Sequence, residues 1–392
     1  MKRLVFAVPG DLDTPTGGYG YDRRLIAELR AASWSVDVLS LGDGFPWPDA
    51  ATRRAAVAML GAVPPGTPLI VDGLAYGVLP DLAATVCRRL PVVALVHHPL
   101  ALEAGLSPDE ADALRASERA ALAGARAVIV TSPATARCVA VDYGVAPDRI
   151  TVAVPGTDRP ARFLPGSVSS ARFLPDEIGL SRLLAGDDRA TNLISVGSLV
   201  PRKGYDVLIE ALARLKDVDW RLVIVGPQDR DPMTAASVAA LIAARGLGDR
   251  VTLAGTVSAD RLATLYAEAD LFVSASLFEG YGMAFAEATS FGLPVVGTTG
   301  GAIPDTVPPG AGILVPPGDV AAFAVALREA IAEPTTRTRL AAAARAAADT
   351  LPRWPDTARI VATTIEEVMR DDVMREDLTT ARQETDGAGT DT

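Results

Sequence analysis

The feature that most constrains this chain is an alternation running from end to end, in which short apolar, β-branched runs are separated by alanine-rich stretches with helical character. The candidate strands are Leu4–Val8, Ser35–Leu39, Leu69–Val71, Val92–Val96, Ala127–Val130 and Ile150–Val154, then Leu193–Val196, Arg221–Val225, Val251–Leu253, Leu271–Val273, Pro294–Gly297 and Gly312–Val315. Most are continuous apolar runs, as expected of parallel strands covered on both faces. Helical patterns fall between them at Tyr21–Ala32, Pro108–Ala123, Tyr205–Arg214, Ala235–Ala244, Ala259–Ala267 and Val320–Ala332. Strands alternating with helices specify doubly wound parallel sheets. Two sets of six strands, in a chain of 392 residues, specify two such α/β domains.

The domain break is expected in 155–191, rich in Gly, Pro, Arg and Ser, where Ala161-Arg-Phe-Leu-Pro is echoed by Ala171-Arg-Phe-Leu-Pro. This gives a first domain over 1–175 and a second over 176–353. A helix over 354–372, with apolar positions at Ile360, Val361, Ile365 and Val368, is expected to brace one domain against the other. Residues 373–392 read as an acidic, disordered tail, since 371–392 hold seven acids and two arginines.

Composition removes several function classes. A net charge of −11 argues against nucleic acid as a partner. The apolar run Leu4–Val8 is too short for a secretory signal, and no uncharged apolar stretch reaches the roughly 20 residues that span a bilayer. Cys87 and Cys138 show neither metal-ligand nor disulfide-framework spacing. A cytoplasmic protein is expected.

In open α/β sheets the ligand lies beyond the carboxyl ends of the strands, and two facing domains would form a cleft there. Four segments at such ends carry unusual residues. The first is Glu279-Gly-Tyr-Gly-Met-Ala-Phe-Ala-Glu287, expected to turn into a helix near Met283 that stops at Gly292. Gly280 and Gly282 would let the backbone at Tyr281, Met283 and Ala284 approach a phosphate at a helix amino end. Glu287, among apolar neighbours, needs a partner such as a pair of ribose hydroxyls. The second is Gly197-Ser-Leu-Val-Pro-Arg-Lys-Gly204. Its Arg202 and Lys203 would hold a diphosphate and neutralise it as a leaving group. Lys203 is one of only three lysines among 37 cationic residues, so its choice over arginine carries information.

The third segment, Asp13 to Tyr21, contains Gly17, Gly18 and Gly20 but lacks the third glycine of a dinucleotide fingerprint. It reads as a glycine-rich loop closing over a donor phosphate or an acceptor. The fourth ends a strand in His97 and His98, the only histidines of the chain. A polar contact to substrate suits them better than a metal, because no Asp-x-Asp or third nitrogen ligand stands nearby in sequence.

These motifs resemble family 4 of the retaining glycosyltransferases, of the two-domain GT-B fold. The likeness is strong from Ser195 to about Ile331, through Glu279-x7-Glu287, Gly197-x-x-x-Pro-Arg-Lys-Gly204, Val225-Gly226-Pro227, Gly300-Gly301-Ala302 and Gly312-Ile-Leu-Val-Pro-Pro-Gly318. It is looser in the first half, through Gly17-Gly18, His97 and Pro155-Gly156-Thr157-Asp158.

The resemblance implies transfer of a sugar from a nucleotide diphosphate sugar to an acceptor hydroxyl, with retention and without a metal or other cofactor. It implies that Glu287 holds the ribose, Glu279 the sugar hydroxyls, and the amides near Gly282 and Met283, with Arg202 and Lys203, the diphosphate. Gly226 would lie by the base, and His97 by the reacting carbon. Ser198 stands where many members carry arginine, which leaves the role of Arg202 open. A small-molecule, glycan or lipid acceptor is expected near Tyr19, Tyr21, Tyr76 and His98. The alternatives are a GT-B epimerase or hydrolase acting on sugar nucleotides, or a non-catalytic binder of them.

Overall fold

A computed structural model describes residues 2–158 and 190–387, with side chains described except at 83–84 and beyond 372. The echoed segment and the 175/176 boundary therefore lie outside the described residues, as do the last five residues of the expected tail. By contacts the chain forms two units, Met1–Val154 with Trp354–Thr392, and Pro155–Arg353.

The N-terminal unit holds six parallel strands: β1 (Lys2–Val8), β2 (Trp34–Ser40), β3 (Leu69–Asp72), β4 (Val92–Val96), β5 (Ala127–Val130) and β6 (Ile150–Val152). Their order is β2-β1-β3-β4-β5-β6. The second unit also holds six parallel strands, β7 (Thr191–Val196), β8 (Trp220–Val225), β9 (Val251–Gly255), β10 (Leu271–Val273), β11 (Val295–Thr298) and β12 (Gly312–Val315), in a different order, β12-β11-β10-β7-β8-β9. All twelve expected strands are present, with ends shifted by a residue or two. Every residue of β3, β4 and β5 is buried, because helices cover both faces.

Each sheet changes winding direction once, between β1 and β3 in the first and between β7 and β10 in the second. Loops leaving neighbouring strands there depart to opposite faces and open a crevice at the carboxyl ends. Most of the sequence positions singled out above follow β1, β3, β4, β7 and β10, and Gly226 follows β8.

Two segments differ from the sequence expectation. The glycine-rich stretch is not a loop: the helix begins at Gly17 and runs to Ala31, because the Thr16 side chain accepts from the Tyr19 amide at 3.2 Å and caps it. Gly17 and Gly18 thus form its first turn. The last helix runs from Trp354 to Gly387, past residue 372. It packs on the N-terminal unit. Ala358, Val361, Ile365 and Val368 are buried along one face, Thr357 Oγ1 donates to the Val154 carbonyl at 2.7 Å, and Arg126 pairs with Asp372 at 3.0 Å. Trp354 stands 5.6 Å from the Tyr21 ring, with the Arg24 guanidinium 5.5 Å above it.

Candidate active site

In the second unit, β7 is followed by a turn over Pro201–Lys203 and then a helix, Tyr205–Ala213, entered through Gly204 at φ +60. A Cβ there would lie 2.3 Å from the Ala275 carbonyl oxygen, so only glycine lets the two strand-end loops touch. The contact is cemented by the Leu277 amide donating to the Arg202 carbonyl at 2.8 Å. Because β7 and β10 are neighbours at the switch point, the basic turn meets the segment Ser274–Gly282.

Glu279 is the centre of this meeting and is 7% exposed. Its Oε1 accepts from Lys203 Nζ at 2.6 Å and Ser276 Oγ at 2.7 Å, and its Oε2 from Arg202 Nη1 at 3.1 Å. Arg202 Nη1 also donates to the Phe278 carbonyl at 2.7 Å. Burial alone would raise the Glu279 pKa. The adjacent Lys203 and Arg202 charges, with the hydrogen bonds from Lys203 and Ser276, outweigh it and hold the carboxyl at about 2. The group therefore stays ionised, and the trio of two cations and one anion keeps one net positive charge.

Beside it the helix Met283–Ser290 starts at Gly282, φ +94, with no side-chain cap. Its first amides, at Met283 and Ala284, and its dipole form a positive end. Glu287 lies one turn in and is half-buried. It accepts from the Tyr266 hydroxyl at 3.0 Å. Burial raises its pKa to about 7, against the pull of Tyr266 and Lys203, while Asp158 adds to the rise. Lys203 thus acts electrostatically on both glutamates of the motif. Gly226 follows β8 and backs directly on Gly197, whose carbonyl oxygen would lie 2.1 Å from an added Cβ; Ser198 follows in the same loop. The structure therefore gathers Arg202, Lys203, Glu279, Gly280, Tyr281, Gly282, Met283, Ala284 and Glu287 at the carboxyl ends of the central strands β7 and β10.

In the N-terminal unit His97 follows β4 and is joined by two residues that lie outside the sequence motifs. Its Nε2 lies 3.2 Å from Asp22 Oδ1, on the first helix, and 3.2 Å from Asp72 Oδ2, at the end of β3. Both aspartates are buried, Asp22 at 0% exposure and Asp72 at 2%. Gly18 packs on the ring, where a Cβ would stand 3.3 Å from Cδ2. Burial alone would lower the His97 pKa, but the two carboxylates raise it to about 10. Asp22 was signalled by its place on the helix face shared with Leu25, Ile26 and Leu29, where a carboxylate is out of pattern.

The expected acceptor-side group divides. Tyr76 is fully buried, its hydroxyl 3.4 Å from Cys87 Sγ, and is a core residue. Tyr21 is also buried; its hydroxyl donates to the Ala153 carbonyl at 2.9 Å and its ring meets His97 edge-on at 5.3 Å. Tyr19, half-buried, donates to the Pro9 carbonyl at 2.5 Å. His98 turns from its neighbour to pair with Glu103 at 3.2 Å. Among the described residues no helix is long and apolar enough to cross a membrane.

Comparison with known proteins bears on the family and the fold. Residues 184–347 match the family described as Glycosyl transferases group 1, and residues 21–159 match Glycosyltransferase Family 4. A D-inositol 3-phosphate glycosyltransferase of Rhodococcus opacus (strain B4) is 31% identical over 279 residues, 68% of this chain and 60% of the relative. An MMP alpha-(1->4)-mannosyltransferase of Mycolicibacterium hassiacum is 26% identical over 319 residues, covering 76% of this chain and 69% of the relative. The chain thus spans about 60% of the length of the inositol phosphate enzymes it matches. In fold, it is similar to a sucrose-phosphate synthase from Thermosynechococcus elongatus, with a TM-score of 0.75, 21% identity, and coverage of 94% of this chain and 100% of that one. It is also similar to Anabaena HepE solved in complex with UDP, with a TM-score of 0.68, 20% identity and coverage of 94% and 100%. With both halves matched and each folded as a six-stranded parallel sheet, the chain belongs to the family 4 glycosyltransferases of the GT-B fold.

Proposed function

We propose that this protein transfers a sugar from a nucleoside diphosphate sugar to an acceptor hydroxyl, with retention of anomeric configuration and without a metal. The observation that carries the reading is the Lys203–Glu279–Arg202 cluster beside the uncapped amino end of Met283–Ser290. A diphosphate placed there meets a net positive side-chain cluster and free helix amides. As the bond from the sugar carbon to the diphosphate breaks, charge accumulates on the phosphate oxygen, and fixed cations stabilise it without reorganisation. Lys203 and the amides of Met283 and Ala284 take that role, and Arg202 supports it. Glu279, always ionised, accepts hydrogen bonds from sugar hydroxyls. Glu287 accepts from the ribose, a hydroxyl donor replacing or joining that of Tyr266. The acceptor oxygen bonds to the sugar carbon on the face the diphosphate leaves, and its proton passes to the departing phosphate oxygen. His97 contacts the donor sugar.

The names of the relatives favour a polyhydroxylated acceptor over a lipid. Cys87 and Cys138 are both unpaired thiols, which supports a cytoplasmic setting. The test is incubation with a panel of nucleotide sugars and polyol or sugar acceptors, with EDTA present, reading product anomers by proton NMR. Retained configuration and undiminished rate in EDTA are expected. Epimerised or hydrolysed donor without acceptor would replace the reading by an isomerase or hydrolase. Donor binding without any turnover would leave a binding protein.

A further inference from the structure

We propose that Asp22 and Asp72 are positioning residues that clamp His97 as a permanently protonated imidazolium at the carboxyl ends of β1, β3 and β4. The three groups come from three separate elements, and Nε2 stands 3.2 Å from one oxygen of each aspartate. Two carboxylates buried side by side repel each other strongly unless a cation lies between them. The imidazole ring occupies that place. Asp72 is further tied by the Leu74 amide, which donates to its Oδ1 at 2.7 Å and favours the ionised form. Asp22, at 0% exposure, has neither carboxylate oxygen hydrogen-bonded among the described residues, so the His97 ring 3.2 Å away is the charge partner that justifies its burial.

Among the described residues, the other faces of the ring add no competing charge. Tyr21 presents an edge at 5.3 Å and stays neutral, since burial and then Asp22 push its pKa up. Gly18 closes one side, and the Thr131 hydroxyl donates to the His97 carbonyl at 2.9 Å. His98 is engaged with Glu103. The shifts follow the geometry: His97 is raised to about 10 against burial, Asp22 is raised to about 7 chiefly by burial, and Asp72 is lowered by the ring despite burial.

The consequence for chemistry rests on the proposed transfer reaction. With Nε2 facing the two carboxylates, the Nδ1 proton is the one offered to a substrate oxygen, and it persists across the whole working pH range. A sugar losing a diphosphate develops positive charge at its reacting carbon, as glycosyl transition states do. A bare imidazolium would oppose that charge. An imidazolium enclosed by two carboxylates does not.

The chain has two histidines, so ring NMR resolves two signals, and His98→Gln identifies His97. The His97 ring is expected to keep imidazolium shifts at pH 9, about 2.5 pH above the midpoint of an ordinary histidine. Asp72→Asn and Asp22→Asn should each bring its midpoint down by at least one pH unit. In the transfer assay, Asp72→Asn should lose kcat above about pH 8, where wild type holds it. A wild-type ring titrating near 6.5 overturns the proposal, whichever variants fold. So does stoichiometric Mn²⁺ binding that broadens the His97 signal, which would make the ring a neutral ligand. Because the NMR titration requires no turnover, the clamp stands or falls separately from the assigned reaction.

Discussion

Replacing Lys203 by methionine keeps the length of the side chain and removes one of three donors to a carboxylate that is 7% exposed. The difference between the ordinary Glu279 value of 4.5 and about 2 in the fold corresponds to about 3 kcal/mol of stability at neutral pH. Lys203 is the largest stabilising contributor to that difference, while Arg202 and Ser276 remain in the variant. Lys203→Met should therefore cost about 2 kcal/mol, less than the ~3–5 kcal/mol of stranding a fully buried charge. The pH dependence has a definite sign. A depressed carboxyl contributes its stability above pH 4.5 and loses it as pH falls from 4.5 toward 2. Urea unfolding at pH 7 and pH 3 should show wild type losing most of that contribution, and Lys203→Met losing less because it has less to lose. The double variant Lys203→Met/Glu279→Gln removes the stranded carboxylate and leaves Arg202 as the one charge of the cluster, still donating to the Phe278 carbonyl, and should recover part of the stability. Its turnover should nevertheless remain at least about 100-fold below wild type, since the leaving diphosphate has lost a fixed cation. Unchanged stability in Lys203→Met would refute the ion-pair reasoning, and wild-type turnover in the double variant would refute the catalytic reasoning.

Glu287→Gln should weaken nucleoside diphosphate binding by about 10- to 100-fold, the worth of a charged hydrogen bond, measured by calorimetry with UDP, GDP and ADP. A 2′-deoxy nucleotide should show a similar loss with wild type and little further loss with the variant. Gly204→Ala places a Cβ 2.3 Å from the Ala275 carbonyl at positive φ, and should cost at least ~1–3 kcal/mol in urea unfolding while lowering turnover by displacing Lys203. Trp354→Ala empties a site against Tyr21 and Arg24 in the N-terminal unit, and should cost about 3–5 kcal/mol.

The parts of the site legible in sequence are those whose partners are close along the chain. Glu279 and Glu287 belong to one loop and helix, and Arg202 and Lys203 to one turn, so strand-end position and composition mark them. Arg202 and Lys203 read as diphosphate ligands, and both are also engaged by Glu279, 77 and 76 positions away respectively. That pairing depends on β7 lying next to β10, which local pattern does not encode. The capped start at Thr16 was legible in principle, since Thr precedes the helical stretch, but three glycines masked it because glycine is a poor helix former. Tyr76 illustrates the opposite error. Its hydroxyl suggested an acceptor contact, and the turn after β3 instead packs it in the core beside Cys87.

Local periodicity and strand-end chemistry determined the two doubly wound sheets, the strand inventory and the charged residues of the second unit, because each is written within a dozen neighbouring positions. Only the tertiary structure decided that Asp22, Asp72 and His97 form one cluster, that Glu279 is locked between two cations, and that the last helix rests on the N-terminal unit. Those outcomes follow from strand order at the switch points. Strand order is set by which faces bury together across the whole chain, and a burial balance of that kind has no local signature.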